Sequence, residues 1–469
     1  MRKIILFELN EVPFKVLDYF VEKFPHSNLA KVFPQCHQFE TVTEDKGHLS
    51  PWITWPTLHR GVANELHGIQ DFGENMEEVD KTYPSIWDML HQNGISCGVF
   101  GSMHSYPPPP TYKDYAFYVP DPFAGGSESH PENIVPFQKF NLAMSRKSVR
   151  NIDTGIDMKA AVELGLSLPG LGIKLGTMAK VGNQLVMERI KPHVKTRRRS
   201  YQSILAFDVY LKLLKKTQPQ FTTYFSNHIA STLHRYWAAA FPNDYKANNM
   251  DTEWLEKYKD EVDFVLWSFD HFLDDLITFV KKHPEYQIWF ASSMGQKATQ
   301  AEMLRTEVAC KDMDVLISKL GLTTEDWEIR PAMHPQYNLA VKDAKVAEFK
   351  AALAELYINN KPLNYREKEG GFFSLDFGHK NLDSGQVTYQ GNPASFAEFG
   401  LENIPIDDET GSTAYHIKEG SLFIYDPQHL GKGKDGRKFG ISTCTIAPSI
   451  LENFGITTPS YMPTERVLA

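Results

Sequence analysis

The sequence predicts an α/β fold in which a mostly parallel sheet carries helices on both faces. Short unbroken apolar runs punctuate the chain, at Lys3-Ile4-Ile5-Leu6-Phe7-Glu8-Leu9, Phe221-Thr222-Thr223-Tyr224-Phe225 and Gln287-Ile288-Trp289-Phe290-Ala291. Runs of that length read as strands buried on both faces. Longer segments with helical spacing lie between them, the clearest running from Thr252 to Lys282 as one amphipathic helix. Glycine stops separate the two kinds of segment, as where Pro84 to Leu90 gives way to Asn93-Gly94 and then to Cys97-Gly98-Val99-Phe100-Gly101.

Taken in order, the core occupies 1–106, 219–298 and 391–469, and two insertions interrupt it. The first, 107–218, begins turn-rich at Pro107-Pro108-Pro109-Pro110 and takes on helical spacing from Ile156 to Leu214. That back half carries Lys174, Lys180, Arg189, Lys191, Lys195, Arg197, Arg198 and Arg199 among Leu, Ile, Val and Met. Such interleaving suits either a basic face lying on an anionic membrane, through 171–199, or a helix pair with a solvated basic side. The second insertion, 299–390, has a strand pattern at Gln336–Val341, a helix from Ala344 to Tyr357 and a strand at Gly371–Leu375, which suggests a small α+β cap.

With 469 residues, 42% of them hydrophobic and 23% charged, the chain has the composition of a globular protein with a large core. A net charge of −9 without aromatic-basic interleaving argues against a nucleic-acid partner. Cys36, Cys97, Cys310 and Cys444 are widely spaced and read as reduced thiols. With no apolar stretch long enough to span a bilayer and a strand pattern starting at residue 3, the expected location is cytoplasmic, with membrane association through 171–199.

The most informative stretch is Ser50-Pro51-Trp52-Ile53-Thr54-Trp55-Pro56-Thr57-Leu58-His59-Arg60-Gly61, followed by Glu65-Leu66-His67-Gly68-Ile69. A helix start there would offer free N–H groups and a positive dipole end to an oxyanion. This segment resembles the nucleophile region of the alkaline phosphatase superfamily, in its type I phosphodiesterase/nucleotide pyrophosphatase branch. The opening strand, Pro84–Gly101, and the closing Thr445–Leu451, Phe454-Gly455-Ile456 and Pro459–Met462 are similar to segments of the same family in the same order, so the resemblance spans residues 3 to 462. It implies an alkaline-phosphatase-like three-layer sandwich with a small α+β cap, and it makes Thr54 the expected nucleophile.

Enzymes of that family hold two divalent metals on six side chains. The resemblance places the corresponding positions at Asn10, Ala230, His234, Ser293, Met294 and His416. Four of the six are uncharged residues, leaving His234 and His416 as weak metal ligands. No cofactor is therefore expected at full occupancy, only residual zinc. Glu8, which shares a strand face with Asn10, the adjacent Glu11, and His228 are candidates to replace the lost carboxylates, although each also has an ordinary reading as a helix-start or loop residue.

The expected function is a phosphodiesterase-like hydrolase or transferase with an altered, metal-poor site, acting on a phosphorylated or nucleotide-linked small molecule. Thr54, His234 and His416 would be catalytic; Asn10, Asn227, Ser293 and Gln296 would bind substrate. The alternative is a non-catalytic descendant binding a ligand or partner in the old cleft.

Overall fold

The computed structural model describes residues 1–147, 158–247, 249–332, 336–382 and 384–468. Its centre is one eight-stranded sheet. The strands are β1 (Lys3–Leu9), β2 (His37–Val42), β3 (Cys97–Phe100), β4 (Phe117–Val119), β5 (Phe221–Ser226) and β6 (Tyr286–Ala291), with two more from the end of the chain. A short pair outside this sheet, β7 (Gly295–Ala298) and β8 (Ala414–Ile417), precedes those last two strands, β9 (Glu419–Tyr425) and β10 (Lys438–Ser442). The sheet order is β10-β2-β9-β6-β1-β5-β3-β4. Every neighbouring pair is parallel except the two that β9 makes with β6 and β2. The expectation of a mixed α/β protein with a mostly parallel sheet is met.

β1 shows why these residues make a central strand. Ile5, Phe7 and Leu9 enter one apolar core, while Ile4 and Leu6 enter the other. The first core is closed by α1 (Phe14–Lys23) and by helices that arrive later in the chain. The second is closed by α2 (Pro51–Arg60), whose ten residues are all buried. Both faces of the strand are thus covered, which is why its sequence is nearly all apolar rather than alternating.

The first insertion supplies α3 (Met158–Leu171), α4 (Leu175–Ile190) and α5 (Arg198–Thr217). The start of the helical stretch expected from Ile156 lies outside the described residues. Gly172, at φ +82°, breaks the stretch after α3, and a Cβ there would stand 2.4 Å from Lys212 Cδ. The expected eight-cation basic face is narrower than its sequence: Arg197 chelates Glu261, Arg198 chelates Glu188, and the half-buried Arg199 has its guanidinium pushed down to about 10 by burial and by Arg235.

Two helices of the core follow, α6 (His228–Ala240) and α7 (Glu261–Lys282). The single helix expected over Thr252–Lys282 is two helices, Thr252–Tyr258 and α7, separated at Lys259 and Asp260. Last, α8 (Ile446–Asn453) packs against α2 in the second core. Between β7 and β8 the chain builds two four-stranded sheets and the helix Asp343–Ala354 around a third apolar core that includes Leu339, Phe349 and Phe373.

Candidate active site

The site forms where β1, β5 and β6 run out. After Leu9 the chain should continue to alternate faces, which would send Asn10 and Glu11 to opposite sides. It does not, because Glu11 adopts a left-handed conformation with φ +57°. Two serines hold this turn, one directly after β6 and one on β9. Ser292 Oγ donates to Leu9 O at 2.5 Å and accepts from Val12 N at 3.2 Å, and Ser421 Oγ donates to Val12 O at 2.6 Å. The result places Asn10 and Glu11 side by side, with Asn10 Nδ2 donating to Glu11 Oε1 at 2.9 Å.

Two histidines converge on the other oxygen of that carboxylate. His234 comes from α6, which starts directly after β5, and His416 comes from β8. His234 Nε2 lies 2.8 Å and His416 Nε2 3.2 Å from Glu11 Oε2. The far side of each ring is committed: His234 Nδ1 donates to Ala414 O at 2.8 Å and His416 Nδ1 to Leu49 O at 2.7 Å. Those two bonds fix the tautomers, so neutral rings would aim both Nε2 lone pairs at a carboxylate oxygen. Such an arrangement requires a proton or a cation between the groups.

Electrostatics agree. Burial would raise the Glu11 pKa, but His416 and His234 override it and hold the carboxyl far below the usual range. The same partnership raises His416 above 6.5 against its own burial. Gln296, opposite His416 in the β7–β8 ladder, donates Nε2 to Glu11 Oε2 and to Ala230 O, while its buried Oε1 has no partner.

The remaining sequence-expected residues divide into two groups. Asn10, Asn227, Gln296, His234 and His416 belong to the cluster, Asn227 through a 2.8 Å bond from Asn10 Nδ2. Asn10 Oδ1 accepts from Trp55 Nε1 at 2.8 Å, so its polar atoms are spent within the protein. Thr54 and Ser293 form a second, fully buried pair, Oγ1 to Oγ at 2.8 Å, and Thr54 Oγ1 also donates to Ser50 O.

Two of the weighed replacements lie elsewhere. Glu8 sits beneath α2, bonded to His59 at 2.9 Å and Ser102 at 3.1 Å. His228 is buried against Ser226 Oγ and beside Phe272, and burial pushes its ring down to about 4.

Thr54 is the fourth residue of α2, not its cap. The residue at the helix mouth is Ser50, extended at φ −154°, ψ 149°, which makes no capping bond, and whose buried Oγ has no partner. It follows Leu49, whose carbonyl holds His416. The signal was in the sequence, because Ser followed by Pro marks an N-cap and first helical residue. Ser292 and Ser421 carried no such signal. Gly295 is also required, since a Cβ there would stand 2.2 Å from Glu419 O.

The fit of a metal can be judged from these donors. Among the described residues a second metal position finds none: Asn10, Thr54 and Ser293 satisfy one another or the scaffold, and Met294 is buried and uncharged. The first position has Glu11, His234 and His416, whose ligand atoms all lie within 4.8 Å of one another. One carboxylate and two imidazoles are a donor set suited to a single zinc-like ion with an open position.

The fold and site define an α/β protein with, among the described residues, one carboxylate–bis-histidine centre at the ends of its parallel strands. No family model matches the chain, and no curated protein sequence matches it. Among solved structures it is similar to human ectonucleotide pyrophosphatase/phosphodiesterase 5 and to the murine protein of that name. The human structure has a TM-score of 0.40 and the murine one 0.41, each at 11% identity and covering 100% of this chain and 98% of the other. An inactive murine form in complex with AMP gives 0.40, at the same identity and coverage.

Proposed function

We propose that the chain is a phosphoric ester hydrolase or transferase whose reactive centre is Glu11, His234 and His416, holding one divalent cation. The observation that carries this reading is the convergence of two Nε2 atoms with fixed tautomers on one carboxylate oxygen. A cation held there would supply positive charge against an oxyanion.

The protein's own groups supply the rest. The mouth of α2 presents the Trp52 N–H, since Pro51 has none and Ile53 and Thr54 donate to Ser50 O, together with the positive end of a ten-residue helix, suited to a phosphoryl oxygen. Ser50 places an unpartnered hydroxyl at that mouth and is the attacking group, in preference to Thr54, whose hydroxyl is occupied. Ala414 O and Leu49 O keep the two rings oriented, and Gln296 keeps Glu11 in place. A pocket of about 420 Å³ is lined by Lys380, Asn381, Glu302 and Tyr415, whose ring centroid lies 4.4 Å from that of His416, and it offers polar groups and an aromatic face to the remainder of a substrate.

The test is a screen of phosphomonoesters, phosphodiesters, sulfate esters and nucleotide sugars with added Zn²⁺, Mg²⁺ or Mn²⁺. Metal-stimulated turnover of a phosphoric ester, reduced at least ~100-fold in Glu11→Gln, is expected. Turnover indifferent to Glu11→Gln and His416→Ala would refute the centre. Absence of turnover with every substrate and metal would favour the non-catalytic binding protein.

A further inference from the structure

Surface helices ordinarily bury their apolar stripe and wet their polar one. α4 does largely the reverse, although Val181 packs on the core. Its two buried residues are Thr177 and Gln184. Thr177 Oγ1 donates to Asp208 Oδ2 of α5 at 2.6 Å, and Gln184 Nε2 donates to Val194 O at 2.7 Å. The one acid of the helix, Glu188, is drawn to the same side by Arg198 at 2.6 Å. The polar side is therefore sealed against the protein by specific bonds, which fixes the rotation of the helix about its axis.

The opposite side faces solvent and is apolar. Leu175 is 89% exposed, Val186 55% and Ile190 66%, with Met178 and Leu185 also open. Positions 175, 178, 182, 186 and 190 fall on one helical face. Cations border this stripe: Lys180, Arg189 and Lys191 are exposed, and no described acid pairs with them. In a chain of net charge −9, an exposed face whose side chains are apolar or cationic apart from Asn183, and which carries no acid, is a local inversion.

We infer that α4 docks flat on an anionic lipid bilayer through Leu175, Met178, Val186 and Ile190, with Lys180, Arg189 and Lys191 at the headgroups. The charge rim favours lipid over a second copy of the chain, because two such faces brought together would oppose like charges. Length favours lying over crossing. At 1.5 Å per residue a helix of 16 residues is about 24 Å long, and no described helix is long and apolar enough to cross a membrane.

The test is flotation of the full chain with vesicles of phosphatidylcholine, with or without phosphatidylglycerol. Val186→Glu/Ile190→Glu alters two side chains that are more than half exposed, so its melting curve should match the parent. The parent should float with anionic vesicles at low salt and lose binding as salt rises. The double variant should bind at least ~10-fold less, and Lys180→Glu/Arg189→Glu/Lys191→Glu should lose about fivefold for each cation removed. A parent that does not float, or that floats equally with both vesicles, overturns the inference. A dimer seen by light scattering and abolished by Val186→Glu/Ile190→Glu, without flotation, assigns the face to a second copy and overturns it too.

Discussion

His234 Nε2 stands 2.8 Å from Glu11 Oε2, while Nδ1 of the same ring donates to the carbonyl of Ala414. A ring held from behind by a carbonyl and facing a carboxylate is poised to share a cation with it. The expectation of residual zinc counted two imidazoles; the structure adds a buried carboxylate. Zinc added to chelator-treated protein should bind at one equivalent, measured by calorimetry and elemental analysis. Glu11→Gln should weaken it by roughly 10- to 100-fold or more. Two equivalents bound with similar affinity would contradict the single-site reading.

Ser50 and Thr54 should separate activity from stability. Replacing Thr54 by Val removes a hydroxyl paired with Ser293 in a fully buried setting, and should cost about 1–2 kcal/mol in urea unfolding. Ser50→Ala removes a buried hydroxyl without a partner and should change stability by less than about 0.5 kcal/mol. With a substrate in hand, Ser50→Ala should abolish turnover that Thr54→Val retains. The reverse result would return the nucleophile to Thr54.

Asp121 should give the fold a pH signature. Its buried carboxyl, with Oδ2 unpartnered, is pushed up by burial to about 7. A raised carboxyl means that the folded state holds a proton the unfolded chain has released. Stability is then lost as pH rises from about 4 to 7 and is level above. Asp121→Asn cannot titrate, so its melting temperature relative to the parent should climb over that interval and then flatten. A difference independent of pH would exclude the assignment.

The cap is fastened to the loop after α2. Asn338 Nδ2 donates to Phe72 O at 2.6 Å and to Pro331 O at 3.0 Å, and the strand Asn364–Lys368 adds Arg366 to Asp71 and Lys368 to Glu74. Asn338→Ala strands two carbonyls in a buried seam and should cost about 1–3 kcal/mol. Limited proteolysis should find the 68–75 loop cut faster in the variant; unchanged protection would show that the ion pairs suffice.

The parallel strands were legible because burial on both faces leaves an unbroken apolar run, and β1, β5 and β6 fall where those runs lie. The break at Lys259–Asp260 was not, since the apolar spacing continues across it. His234 and His416 were legible through the resemblance. Glu11 also has an ordinary reading as a helix-start carboxylate, and strand periodicity turns it away from Asn10; only the left-handed turn defeats that rule. Ion pairing was equally invisible: Arg197 and Arg198 read as surface charge until Glu261 and Glu188 are seen facing them.

The backbone at Glu11 ties the stability of the turn to the integrity of the site. A glutamate held at φ +57° occupies a region that glycine enters freely and glutamate does not, at a cost of order 1 kcal/mol. Glu11→Gly would relax the backbone but leave His234, His416, Asn10 and Gln296 around a missing carboxylate, a loss of about 3–5 kcal/mol that outweighs the strain. The groups that the carboxylate holds are thus what keeps the turn in its strained form, so the backbone at residue 11 and the cluster around it stand or fall together.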